Sequence, residues 1–178
     1  MKIVTNRFGE IQVNESELVH FPSGLLGLPE IKDYALIDPA DDTLILWLQS
    51  VDNPNLALPI LEPGVFKPDY KFQLTKSELE ELKLLSVKNA AVFTVLTIPD
   101  DITQMSANLK APLVVNLEES MAKQVVLQES RHQIKYPMFK ELRAHLMTIS
   151  SNTVKESEVG PVSPKSILPT PTLLTEAL

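Results

Sequence analysis

Residues 96–116 read LTIPDDITQMSANLKAPLVVN, and the parsing of this stretch decides the fold. An apolar run closes at Pro99, the chain turns at Asp100-Asp101, and a polar patch follows from Met105 to Pro112. A second apolar run then restarts at Leu113. Both runs are of β type, so two strands joined by a shaped turn are expected. The patch between them carries no carboxylate, imidazole or thiol. Its residue types suit holding a backbone shape or offering a surface rather than chemistry.

Outward from that stretch the chain continues as short strands. Residues 90–98 form the strongest, followed by 113–117 and 123–127 around a turn at Glu118-Glu119-Ser120. At the N-terminus, residues 2–8 and 10–13 flank Gly9, which can adopt the positive φ of a tight hairpin. Residues 17–21, 34–37, 43–50 and 56–61 read as further strands, with turns at residues 38–42 and at Asp52-Asn53-Pro54-Asn55. Leu44 to Leu48 is apolar throughout, the pattern of a strand buried on both faces. The segment from Ser23 to Glu30 reads as an irregular loop packed on the body.

Two helices interrupt the strands. Residues 77–85 carry Leu79, Leu82 and Leu85 on one face, with Thr75 or Ser77 as cap and Glu78 or Glu80 completing a capping box. Met138, Phe139, Leu142 and Leu146 recur at helical spacing. The expected organisation is a mainly β domain over residues 1–137, a short amphipathic helix over 138–149, and a mobile Pro/Ser/Thr-rich tail over 150–178. The fold class is a compact antiparallel β-barrel or sandwich with one or two short helices.

Composition narrows the function. The 178 residues carry a net charge of −7, which repels phosphates and favours basic partners. Direct nucleic-acid and anionic-membrane binding are therefore not expected. The absence of cysteine removes thiolate catalysis, disulfides and cysteine zinc sites. His20, His132 and His145 are scattered outside any ligand spacing, and the glycines form neither a P-loop nor a dinucleotide fingerprint. Gly24-Leu25-Leu26-Gly27 is formally a G-x-x-G loop, but leucines replace the basic residues that a nucleic-acid clamp needs. Asp41-Asp42, Asp100-Asp101 and Glu118-Glu119 fall where turns are already required, and read as solvated turns. A PxxP match at Pro161-Val162-Ser163-Pro164 is a weak signal in a proline-rich tail. With no leader-like or membrane-spanning segment, a soluble cytoplasmic protein without cofactor, metal or catalytic residues is expected.

The patch and its flanks resemble the T-I-P … T-A-N-L-x-A-P-[IL]-V-[IV]-N motif of the flagellar assembly factor family FliW. Four further pieces follow in order. Residues 21–28, FPSGLLGL, resemble F-P-x-G-L-P-G-F, with Leu26 and Leu28 departing from it. Residues 48–58, LQSVDNPNLAL, resemble L-Q-S-x-D-x-P-x-L-A-F. Pro68-Asp69-Tyr70 matches a P-D-Y element, and residues 122–127, AKQVVL, match G-x-Q-V-[IV]-L. The resemblance covers about residues 1–136 and does not reach the C-terminal helix and tail. It implies a non-enzymatic protein, expected to act as a monomer, with two partners: flagellin, through its C-terminal helical region, and the RNA-binding translational repressor CsrA. The partner-binding residues it implies are Leu25, Leu28, Asp52, Asn53, Asp69, Tyr70, Asn108 and Leu109. The rival reading is a small-ligand-binding or hydrolytic β-barrel that uses Ser106 and Asn108.

Overall fold

The computed structural model describes residues 1–40, 43–129, 131–156 and 174–176. In chain order the elements are β1 (Lys2–Thr5), β2 (Gly9–Gln12), β3 (Leu18–His20), β4 (Asp33–Ile37), β5 (Leu46–Ser50), β6 (Ala57–Leu61), β7 (Phe72–Leu74) and α1 (Lys76–Glu81). They continue as β8 (Ala90–Thr97), β9 (Ser106–Ala107), β10 (Leu113–Asn116), β11 (Met121–Gln124), β12 (Tyr136–Pro137), α2 (Phe139–Glu156) and β13 (Leu174–Glu176).

Seven strands close a barrel in the order β10-β11-β3-β4-β5-β6-β8, with β8 pairing back onto β10. All contacts in the ring are antiparallel except β11 with β3, which meet in parallel at Met121 and His20. Closure leaves the ring no free edge. The mainly β, barrel-type expectation is borne out.

Strand β8 is the pivot because it contributes to a core on each of its faces. Ala91 and Phe93 point into the barrel with Val19, Phe21, Tyr34, Leu48, Ile60, Leu113 and Val115. Val92 and Leu96 belong to a second core outside the barrel wall, with Phe66, Tyr70, Phe72, Leu74, Leu82, Leu109 and Val114. A strand sandwiched this way needs an almost wholly apolar sequence, and AAVFTVL supplies it, the one polar member, Thr94, donating its hydroxyl to Leu61 O at 3.1 Å. A third, smaller cluster of Ile3, Val13 and Ala35 seats the β1–β2 hairpin on the outer face of β4.

The structure corrects several expected boundaries. Leu44 is exposed with φ 64°, and β5 begins only at Leu46, so 44–48 is not buried on both faces. Trp47 is half-buried, with the Arg7 guanidinium 3.6 Å from its ring centre. Helix α1 is capped by Thr75, whose hydroxyl accepts from Glu78 N at 3.3 Å while Glu78 Oε2 accepts from Thr75 N at 2.7 Å. It ends at Glu81, not residue 85, because Lys83 adopts φ 51° and turns Leu84 inward. Leu85 is left fully exposed. The predicted 123–127 strand starts two residues earlier, at Met121. Helix α2 runs on to Glu156, seven residues beyond the expected limit at 149. Leu174–Glu176 pairs in parallel with β7, a strand the sequence reading missed. The Asp41-Asp42 turn and residues 157–173 of the expected tail, with its PxxP match, lie outside the described residues.

Candidate functional site

The patch after β8 is built by local hydrogen bonds. Asp101 starts a 3-10 turn at Ile102–Gln104, its Oδ1 accepting from Thr103 N at 3.0 Å and from the Thr103 hydroxyl at 2.6 Å. Those two bonds, the hydroxyl first, hold the Asp101 carboxyl below its ordinary range. The chain then folds back so that Ala107 pairs with Leu96 on one side and Tyr136 on the other. Asn108 donates its backbone N–H to Val95 O at 2.9 Å. Its side-chain oxygen accepts from Lys110 N at 3.1 Å and Ala111 N at 3.2 Å, an Asx-type clamp that shapes the loop.

Leu109 is 1% exposed and fills the outer core. Its backbone N–H donates to Gln133 O at 2.9 Å, and its carbonyl accepts from the Tyr70 hydroxyl at 2.8 Å. Burial, with the Glu129 carboxylate adding to it, pushes the Tyr70 phenol far above its ordinary range. His132 packs edge-on against Tyr70 at 5.1 Å between ring centres. Burial first, and the Arg131 charge second, hold its imidazole below the ordinary value.

The eight sequence-chosen residues do not form one surface. Tyr70, Asn108 and Leu109 are brought together, but as a buried support. Leu25 is buried in the barrel core, and Leu28 packs against the same cluster. Asn53 organises its own turn: its N–H donates to Ser50 Oγ at 3.0 Å and its side-chain oxygen accepts from Asn55 N at 3.0 Å. Asp52 and Asp69 are exposed; Asp69 is ion-paired to Lys67 at 2.7 Å, which holds its carboxyl below the ordinary range. For the rival reading, Ser106 is half-buried in β9 and the Asn108 oxygen is committed to the loop.

The open surface lies beside that loop. A groove of about 630 Å³ runs between the segment around the 3-10 turn and helix α2. Ile98, Ile102 and Met105 form one wall; Phe139, Leu142, Leu146 and Met147 form the other. Met138 and Leu142 are buried in the outer core, which fixes α2 to the barrel, and Met138 N donates to Met105 O at 3.3 Å. Ile102 is 53% exposed and Met147 60%. Exposed apolar side chains clustered in one concavity mark an interaction site. Arg143 is the single charged side chain lining it among the described residues. The sequence reading passed over Ile98, Ile102 and Met147; the usable signal was two isoleucines set in an otherwise polar turn.

Comparison with known proteins places this architecture. The family model described as "FliW protein" matches residues 2–138. This chain belongs to the FliW family. A flagellar assembly factor FliW from Bdellovibrio bacteriovorus is 41% identical over 160 residues, covering 90% of this chain and 91% of that protein. The FliW of Caldanaerobacter subterraneus subsp. tengcongensis is 36% identical over 144 residues, covering 80% and 96%. A crystal structure of a flagellar assembly factor FliW superposes with a TM-score of 0.72 at 31% identity, covering 77% of this chain and 96% of that one. The family-model match stops at Met138, but the 160-residue similarity to the Bdellovibrio relative runs on through α2, so both walls of the groove lie within the stretch shared with that FliW. Among the described residues no helix is long and apolar enough to cross a membrane, and no cluster of three or more potential metal ligands occurs.

Proposed function

We propose that this flagellar assembly factor holds the amphipathic C-terminal helix of flagellin in the groove between the 3-10 turn and α2. We further propose that it antagonises the repressor CsrA when flagellin is absent. The observation that carries the first half is the groove itself, a concave apolar strip flanked by helix α2 and rimmed by hydroxyls and one arginine. Helix-in-groove recognition uses apolar side chains at i, i+3, i+4 and i+7 against such a strip. Ser150 and Ser151 donate their hydroxyls back to Leu146 O and Met147 O at 3.0 and 2.9 Å, so the groove's polar end is already satisfied internally. Flagellin's C-terminal helix is buried only in the assembled filament, and before export its apolar face needs such a cover.

For the second half, the net charge of −7 supports a basic RNA-binding partner. The physical logic is mass action: flagellin bound to this protein lowers the amount free to hold the repressor. Titration of purified chain with a flagellin C-terminal helix peptide should saturate at micromolar concentration. Ile102→Asp and Met147→Asp should each weaken binding at least about tenfold without lowering the unfolding temperature, since both positions are exposed. Peptide binding unaffected by either change would rule out this groove. CsrA binding should fall steeply with salt, whereas flagellin binding should hardly change.

A further inference from the structure

A second cleft, of about 800 Å³, opens at one end of the barrel and is separate from the groove beside α2. Its floor is Phe93 of the barrel-interior cluster with Leu36, Leu46 and Leu117, which pack half-buried against that cluster. Phe93 is 4% exposed, so the cleft reaches down to the packed core. One wall is Ile11 and Gln12 of β2 with Val13 just after it. Among the described residues β2 pairs with β1 alone, so its other edge has no strand partner.

The charge at the rim has one sign. Glu17 and Asp38 line the cleft, and no lysine, arginine or histidine does so among the described residues. Each carboxylate is anchored by a backbone bond: Glu17 Oε2 accepts from Asn14 N at 2.7 Å, and Asp38 Oδ1 accepts from Ala40 N at 2.8 Å. These bonds fix the acids in place without neutralising them, and neither acid is ion-paired among the described residues.

We infer that this cleft is a second interaction site, for an extended basic peptide segment that lies along β2 and drops apolar side chains onto the Leu36–Phe93 floor. An unpaired strand edge supplies main-chain partners, an adjacent apolar pocket supplies affinity, and the acidic rim selects for flanking lysine or arginine. The unpaired edge of β2 suits an extended segment rather than a helix, which separates this site in kind from the groove. The inference stands on its own and does not depend on flagellin or CsrA binding.

The test uses the full chain, with methyl-labelled leucines observed by NMR at low salt, and two matched peptides, Ac-KVTVK-NH2 and Ac-EVTVE-NH2. The lysine peptide should shift the methyls of Leu36, Leu46 and Leu117 saturably and bind at least about tenfold more tightly than the glutamate peptide. Glu17→Lys combined with Asp38→Lys should invert that preference. Should the double variant unfold, Asp38→Asn alone should narrow the gap between the peptides. Equal affinities, shifts confined to other leucines, or no saturable shift up to millimolar peptide would overturn the proposal. Binding of dodecyltrimethylammonium at these methyls, with no binding of either peptide, would overturn the peptide as occupant.

Discussion

Asn108 does the work of a loop-builder. Its side chain replaces two backbone partners that Lys110 and Ala111 would otherwise lack. Asn108→Ala should therefore cost about 1–3 kcal/mol, read from the shift in urea midpoint at constant slope. His132 gives the loop's support a pH dependence. Its folded-state pKa lies below the ordinary value of 6.5, so the unfolded chain binds the proton more readily. Stability is then full above about pH 6.5 and declines as pH falls through that value towards the lower folded-state pKa. The carboxylates held low, Asp69, Glu81 and Asp101, titrate below their ordinary values of 3.8 to 4.5, so the two windows separate. Unfolding temperatures at pH 7.5 and 5.5 should differ in the natural chain, and His132→Gln should shrink the difference. The Asx role of Asn108 was legible because its partners lie two and three residues on. The Tyr70–Leu109 bond was not, because it joins positions 39 residues apart and no local pattern announces it.

At the scale of elements, the two helices show where periodicity suffices and where it fails. The repeat of Met138, Phe139, Leu142 and Leu146 located α2 and its buried face correctly. The C-terminal end was misplaced because residues 150–156 are polar and β-branched, and helix continuation there does not depend on an apolar stripe. Helix α1 failed in the opposite sense. Leu79, Leu82 and Leu85 fit the helical spacing, but the left-handed turn at Lys83 substitutes Leu84 for Leu85. Asn116 holds that turn from another element, donating to Leu82 O at 2.9 Å and Lys83 O at 3.2 Å. The docking of α2 makes a quantitative contrast. Leu142 is buried and Met147 exposed on the same helix. Leu142→Ala should cost about 2–4 kcal/mol, while Met147→Ala should stay within about 0.5 kcal/mol, by chemical denaturation of both variants.

For the whole molecule, the barrel class followed from short strands separated by turns, and its pivot, β8, was recognisable from its β-branched and aromatic residues. The groove was not recognisable, because it is made by joining two segments some forty residues apart in the sequence. The residues that carry the family resemblance, Asn108 and Leu109 above all, turn out to build the support from which the groove wall projects. On the proposed function, this groove takes an amphipathic flagellin helix. Because the chain has no cysteine, a single Ile102→Cys change places one thiol in the groove wall, and Leu85→Cys places one on a fully exposed control site. Alkylation rates should fall at least about tenfold at position 102 when the flagellin C-terminal helix peptide is bound and stay unchanged at position 85. Saturating peptide that leaves the rate at position 102 unchanged would rule out a helix seated in this groove.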